Sequence, residues 1–168
     1  MRKMREERKE IMEALLTTLC YLERDGKYLM LLRNRKKKDI NKGKWIGVGG
    51  KFEQGESPEE CARREVFEET GYILGEAHFR GIVTFVTPQG MDEYMCLFTS
   101  GDFTGEEHAC DEGELAWIPK EKIGELNLWE GDRIFLRLIA ENAPFFSLKL
   151  VYDEEGKLVR AVRDGKEL

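Results

Sequence analysis

The chain has 168 residues, 41% of them apolar and 36% charged, with a formal net charge of −6. That length and apolar content support one domain with a real core, and the acidic balance disfavours wrapping long nucleic acid through counterion release. No signal-peptide pattern and no run of ~18 apolar residues occur, so the expectation is a cytoplasmic protein with no membrane partner.

Residues 1–13, MRKMREERKEIME, are highly charged and mildly helical, and read as an extension ahead of a domain at 14–168. Segments 14–22 and 27–32 flank Asp25 and Gly26, a strong hairpin signal. From 33 to 51 the basic residues Arg33, Arg35, Lys36, Lys37, Lys38, Lys42, Lys44 and Lys51 stand against Asp39 alone. Such a run is either a solvated loop or an electrostatic funnel for a small polyanion. Gly47, Gly49, Gly50 and Gly55 follow, where small residues let backbone approach a ligand closely.

The helix expected at 59–70 is well bounded. Ser57 is an N-cap, Pro58 sits at the first helical position, Glu60 completes a capping box and Gly71 supplies the stop. Segments 82–86 and 94–98 flank the Pro88-Gln89-Gly90 turn, a second helix covers 132–141, and a last hairpin crosses 153–156. These elements make an α+β fold, a mixed sheet with helices on its faces. Cys20, Cys61, Cys96 and Cys110 lack C-x-x-C spacing and read as reduced packing residues. His78 and His108 are isolated, which argues against zinc binding and against covalent Ser–His or Cys–His hydrolysis.

Within the first helix, Glu65, Glu68 and Glu69 lie at i, i+3 and i+4 and share an arc of roughly 100°. Arg64 can pair with Glu68, but no Lys or Arg stands three or four residues from Glu65 or Glu69. Those two carboxylates border the Ala62 and Val66 stripe that should face the core, so they belong at a cleft edge. Carboxylates crowded there fit a cation. With oxygen donors only, the expected ion is hard, Mg²⁺ first and Mn²⁺ second.

The spacing G-x5-E-x7-R-E-U-x-E-E-x-G-U, with U a bulky apolar residue, resembles the Nudix box at Gly50, Glu56, Arg64, Glu65, Val66, Glu68, Glu69 and Gly71. Tyr72 departs mildly from the usual aliphatic last position. Chance matching of the fixed positions is on the order of once in 10⁸ to 10⁹ windows. The resemblance implies the α/β/α Nudix fold and hydrolysis of a nucleoside diphosphate linked to some group X. It puts Glu65 and Glu69 on the metal, with Glu68 a further ligand or water-orienting group. Arg64 then orients the glutamates, and the Gly50 carbonyl is an additional ligand.

The runs KWIGVGGKFEQGE, DEGELAWIP, WEGD and FFSLKLVYDEEGKLVRAV are similar to the MutT branch of that family, which includes oxidised-purine nucleoside triphosphatases. In that branch a glutamate just before a Trp-bearing strand contributes to metal binding or catalysis. Glu112 matches it, with Glu114 the fallback and an ordinary loop carboxylate the plain alternative. The resemblance places base recognition at Trp129 and Asp132, because an acceptor carboxylate beside an aromatic plate suits the N–H donors of a guanine-type edge. Trp129 could equally be core. Gly131 stands where the mammalian type has a second acid and Ile46 where it has an asparagine, so Asn34 or Asn41 is left to supply an amide.

The expected function is therefore Mg²⁺-dependent cleavage of 8-oxo-dGTP or a related purine nucleotide to the monophosphate and pyrophosphate, serving nucleotide-pool sanitation and so DNA repair. Catalytic residues are Arg64, Glu68, Glu69 and Glu112; metal donors are Gly50, Glu65, Glu68, Glu69 and Glu112; substrate contacts are Arg33, Lys51, Asn41, Trp129 and Asp132. The alternatives are another nucleoside diphosphate-X substrate, such as a dinucleoside polyphosphate, ADP-ribose or a capped RNA end, and a Nudix-fold sensor that binds nucleotide without turnover.

Overall fold

The computed structural model describes residues 13–168, so the extension expected at 1–13 lies, Glu13 aside, outside the described residues. Strand β1 (Ala14–Arg24) turns into β2 (Lys27–Arg33) through Asp25 and Gly26, at φ 53° and 73°. Two consecutive left-handed residues make the turn whose twist suits a two-residue hairpin. The six buried residues Thr17 to Leu22 run without alternation because β1 is covered on both faces.

Strands β3 (Trp45–Ile46) and β4 (Val48–Lys51) occupy the region read as a glycine-rich loop. In β4, Gly49 pairs with Leu19 and Gly50 with Thr18 of β1. A Cβ on Gly49 would stand 1.9 Å from the Thr18 carbonyl oxygen, so this register admits glycine alone. Low strand propensity is overridden here by the close approach that the register demands.

Helix α1 (Pro58–Thr70) follows its caps closely. Ser57 Oγ accepts the Glu60 N–H at 3.1 Å, Glu60 Oε1 accepts the Ser57 N–H at 3.2 Å, and Gly71 ends the helix at φ 84°. Fully buried Ala62 and Val66 dock it on one face of the sheet, against Cys20, Leu29, Val48 and Phe98. Burying a side chain such as Val66 stabilises by roughly 1.5–3 kcal/mol, which fixes the face and therefore the direction of the glutamates.

The chain continues through β5 (Ile73–Leu74), β6 (His78–Val86), β7 (Asp92–Ser100), β8 (Phe103–Thr104) and β9 (Gly113–Pro119). A 3-10 helix (Lys120–Glu125) leads to α2 (Glu130–Ala140), and β10 (Phe146–Tyr152), β11 (Leu158–Arg163) and β12 (Lys166–Glu167) close the chain. The expected hairpins and both helices are present, α2 starting two residues before the expected 132. In the large mixed sheet the order runs β12-β11-β10-β6-β7-β1, with β1 then shared between β4 and β2, and β2 pairing β3 and β9. The β1–β7 and β10–β6 pairs are parallel; β5 and β8 form a separate small ladder. Helix α2 buries Phe135, Leu138 and Ile139 on the face opposite α1, against Leu19, Tyr21, Leu97 and Leu148, which gives the α/β/α layering.

All four cysteines are free, and burial pushes the Cys20 thiol up to about 12 and the Cys96 thiol up to about 11, which keeps both protonated. Among the described residues, no helix is long and apolar enough to cross a membrane.

Gly49→Ala is expected to lower the urea midpoint by the equivalent of about 1–3 kcal/mol of unfolding free energy, or to abolish folding, since backbone must move. Gly124→Ala, whose Cβ would meet nothing within 4 Å, is expected to leave the midpoint unchanged or slightly raised. Equal effects of the two would contradict the β1–β4 packing.

Candidate active site

Arg64 is the centre of the acidic end of α1. Its Nε and Nη2 donate to the two oxygens of Glu56 at 2.8 Å each, Nη1 donates to Glu65 at 2.8 Å and to Glu68 at 3.2 Å, and Nη2 also donates to the Lys51 carbonyl at 2.9 Å. The Glu56 contact is the bidentate fork that arginine alone provides. Hydrogen bonds from Arg64 hold the Glu56 carboxyl down at about 2, and Glu56 in turn raises the guanidinium further above its ordinary range. The i, i+4 pairing with Glu68 is as expected. Glu65, however, does have a local partner, its neighbour Arg64, because the guanidinium folds back along the helix to reach it.

Glu69 lies deeper, at 7% exposure, and accepts the Gly49 N–H at 3.0 Å. Burial, with the Glu65 charge adding to it against the Gly49 hydrogen bond, pushes its carboxyl up to about 8. Among the described residues no ion pair reaches it. Glu65 is likewise raised, by burial first, with Arg64 opposing. A Cβ on Gly50 would stand 2.5 Å from the Glu65 carboxyl carbon, so β4 brings its bare peptide against that carboxylate. Glu68 is the outlying member, its side chain 56% exposed.

Glu112 immediately precedes β9 and is turned inward to this cluster, its charge acting on both Glu65 and Glu69. It is clamped by Arg33 at 2.6 Å and Lys36 at 3.0 Å, while Arg33 also pairs with Asp39 at 2.7 Å. Glu114, the fallback, is exposed on β9. The basic run is thus not a free row of cations: Arg33 and Lys36 hold Glu112, and Lys51 and Asn34 are exposed.

Among the described residues, no three His, Cys, Asp or Glu side chains already stand in a metal-ligating arrangement. Each outer glutamate is drawn to a guanidinium or ammonium group. The donor chemistry nevertheless fits a hard divalent cation: carboxylate oxygens, the Gly50 peptide, and a buried Glu69 on which Arg33 acts only at a distance, without an ion pair. Glu65, Glu68, Glu69 and Glu112 could hold it.

A second group forms at the start of α2. Trp129 donates its Nε1–H to Asn41 Oδ1 at 2.8 Å, stands edge-on to Tyr152 at 5.2 Å, and carries Lys44 Nζ 5.0 Å above its ring. Trp129 is partly buried against the core, so it packs and also presents a face. Asp132 is 2% exposed and its Oδ1 has no hydrogen-bond partner. Burial, then the Glu93 charge, push its carboxyl up to about 8 against the pull of Lys44 and Arg133. A Cβ on Gly131 would stand 2.4 Å from Leu150 Cδ1 and 2.5 Å from the Tyr152 hydroxyl, which accepts the Gly131 N–H, so no acid fits there. Sequence reasoning missed Lys44 over the Trp129 ring and Glu93 beside Asp132; only the acid on the apolar phase of 93, 95 and 97 signalled the latter. The 34–44 loop joins both groups, with Arg33 at the glutamates and Asn41 and Lys44 at Trp129.

The site is a glutamate helix docked on a glycine strand, in a mixed sheet between helices. The NUDIX domain family model matches residues 15–139, and the chain belongs to the Nudix family. It is 31% identical over 133 residues to the oxidized purine nucleoside triphosphate hydrolase of Danio rerio, covering 77% of this chain and 82% of that one. It is 30% identical over 147 residues to the uncharacterized Nudix hydrolase YvcI of Bacillus subtilis, covering 84% and 89%. The crystal structure of a mutator MutT protein from Bacillus halodurans superposes with a TM-score of 0.80 at 25% identity, covering 90% and 99%. The protein is a MutT-like Nudix hydrolase, a class that uses divalent metal.

Because the folded Asp132 carboxyl sits at about 8 against an ordinary 3.8, the folded state keeps a proton that the unfolded chain releases between those values. Its contribution to stability is full below the lower value and is lost as pH rises through the upper one. Urea unfolding with EDTA present should show wild type losing stability relative to Asp132→Asn from about pH 5 to about pH 8; a constant or growing advantage contradicts the burial of Asp132.

Proposed function

We propose that this hydrolase is a Mg²⁺-dependent nucleoside triphosphate pyrophosphatase that converts 8-oxo-dGTP or a related purine nucleotide to the monophosphate and pyrophosphate. The observation that carries the reading is the buried Glu69 carboxyl, fixed by the Gly49 amide, flanked by Glu65 and Glu112, and with Arg33 acting on it but forming no ion pair. The names of relatives such as the Danio rerio enzyme support the purine substrate.

The reaction joins a water oxygen to a phosphorus of the triphosphate and breaks the P–O bond that bridges its α- and β-phosphoryl groups, releasing the monophosphate and pyrophosphate. Little covalent help is needed; positioning and charge neutralisation dominate. Mg²⁺, when bound, neutralises the phosphate oxygens. Glu65, Glu69 and the Gly50 carbonyl would hold the ion, and Glu112 and the exposed Glu68 would complete the set or orient water. Arg64 positions these carboxylates without touching substrate. Arg33, with Lys36 and Lys51, meets the phosphates; Asn41 holds the Trp129 plate, and Asp132 accepts from the base.

With magnesium present, Glu69→Gln is expected to cut turnover at least a hundredfold at unchanged Tm, since losing a metal-held charge costs several kcal/mol of transition-state stabilisation. The assay resolves nucleotide products by chromatography with an EDTA control, using 8-oxo-dGTP, dGTP, ADP-ribose and diadenosine polyphosphate. Undiminished turnover by Glu69→Gln sinks the metal assignment; preference for ADP-ribose or the dinucleotide sinks the substrate assignment, and nucleotide binding without turnover favours a sensor.

A further inference from the structure

The face of the sheet that α2 covers is built in rows, Leu15 beside Glu93, Glu93 beside Phe85, and Phe85 beside Leu150. Residues paired in this way share a face, and the next row, Met95, Val83 and Leu148, is buried core. Glu93 therefore holds an apolar position. It is half-buried and accepts a hydrogen bond from Thr17 Oγ1 at 2.9 Å. Of the surrounding charges it acts most strongly on Asp132, whose Oδ1 is buried with no partner.

Among the described residues, neither acid has an ion-pair partner. Two carboxylates brought together on an apolar face, one with an unsatisfied oxygen, destabilise the fold unless a ligand supplies donors. Ionised Glu93 only accepts hydrogen bonds, and Asp132 does so once it releases the proton that burial holds on it, so the ligand they suit carries several N–H groups on neighbouring atoms. Gly131 brings no acid of its own, and it packs against Leu150, which lies in the same cross-strand row as Phe85 and Glu93.

We propose that Glu93 is a specificity-determining residue that reads the nucleobase together with Asp132, the pair selecting a base edge with a ring N–H and an exocyclic amino group, as in guanine. The assignment rests on the reading of the Trp129 and Asp132 corner as the base site. Guanine offers three N–H bonds on that edge, hypoxanthine one, and adenine an acceptor at the ring nitrogen, so bases without the donor pair leave an acid unsatisfied.

The test is calorimetric titration of dGMP and dIMP into wild type and Glu93→Gln with EDTA present, alongside thermal unfolding and nucleoside triphosphate hydrolysis with Mg²⁺. Wild type is expected to favour dGMP by about tenfold or more, the worth of one charge-assisted hydrogen bond. Glu93→Gln is expected to lose most of that preference with dIMP binding little changed and Tm equal or higher, because a repulsion has been removed. A merely structural Glu93 would lower Tm or weaken both ligands alike; either result, or an intact dGMP preference in the variant, overturns the proposal. Base-selective binding that Glu93→Gln abolishes, in a protein that hydrolyses no nucleotide, overturns the pyrophosphatase reading alone. Hydrolysis with the same base preference in both proteins overturns the Glu93 assignment alone.

Discussion

The repulsion among Glu56, Glu65, Glu68 and Glu69 is the constraint to which the rest of the site answers. Left alone, like charges three and four residues apart destabilise a helix by a few tenths of a kcal/mol per pair, and burial makes the inner ones worse. Arg64 relieves the outer three through one planar fork, and its remaining donor ties the helix to the Lys51 carbonyl on β4. Glu69 accepts only a neutral amide, and burial holds a proton on it, so it is the carboxyl that a bound cation would ionise. Lysine at position 64 could not hold these contacts at once, having no planar fork.

Strand β4 explains how the Glu69 carboxyl is held so deep. Glycine at 49 and 50 lets the strand lie against β1 on one side and against the glutamates on the other, with no side chain between. The same strand thus supplies the amide that fixes Glu69 and the peptide that faces Glu65. Across the sheet, the 34–44 loop ties this acidic centre to the Trp129 corner, so the polyanionic and aromatic halves of a nucleotide meet parts of one connected surface. Asp132, with one buried oxygen unpartnered, and Glu93, with Thr17 but no ion pair, cost stability there, which is the usual signature of groups kept for a ligand.

Local signals were the legible ones. The Ser57 capping box, Gly71 and the Asp25–Gly26 turn determine their geometry within four or five residues, and α1 and the first hairpin stand where those signals put them. Strand β4 was not legible, since VGGK has the composition of a loop and becomes a strand only because β1 has no room for a Cβ beside it. The Arg33 to Glu112 pair joins residues 79 apart in the sequence and carries no local signature. For the same reason Glu93 could be seen as an acid out of phase on a strand, while its row with Leu150, against which Gly131 packs, depended on the registers of β7 with β6 and β6 with β10.

The most direct measurement is anomalous diffraction from crystals of the full chain soaked in Mn²⁺, a hard-cation reporter for Mg²⁺ sites. A single strong peak within ligand distance of Glu65 and Glu69, beside the Gly50 carbonyl, is the expected result. A peak placed only at other carboxylates, or none at saturating metal, would contradict the view that the cluster on α1 is held together in order to bind a cation.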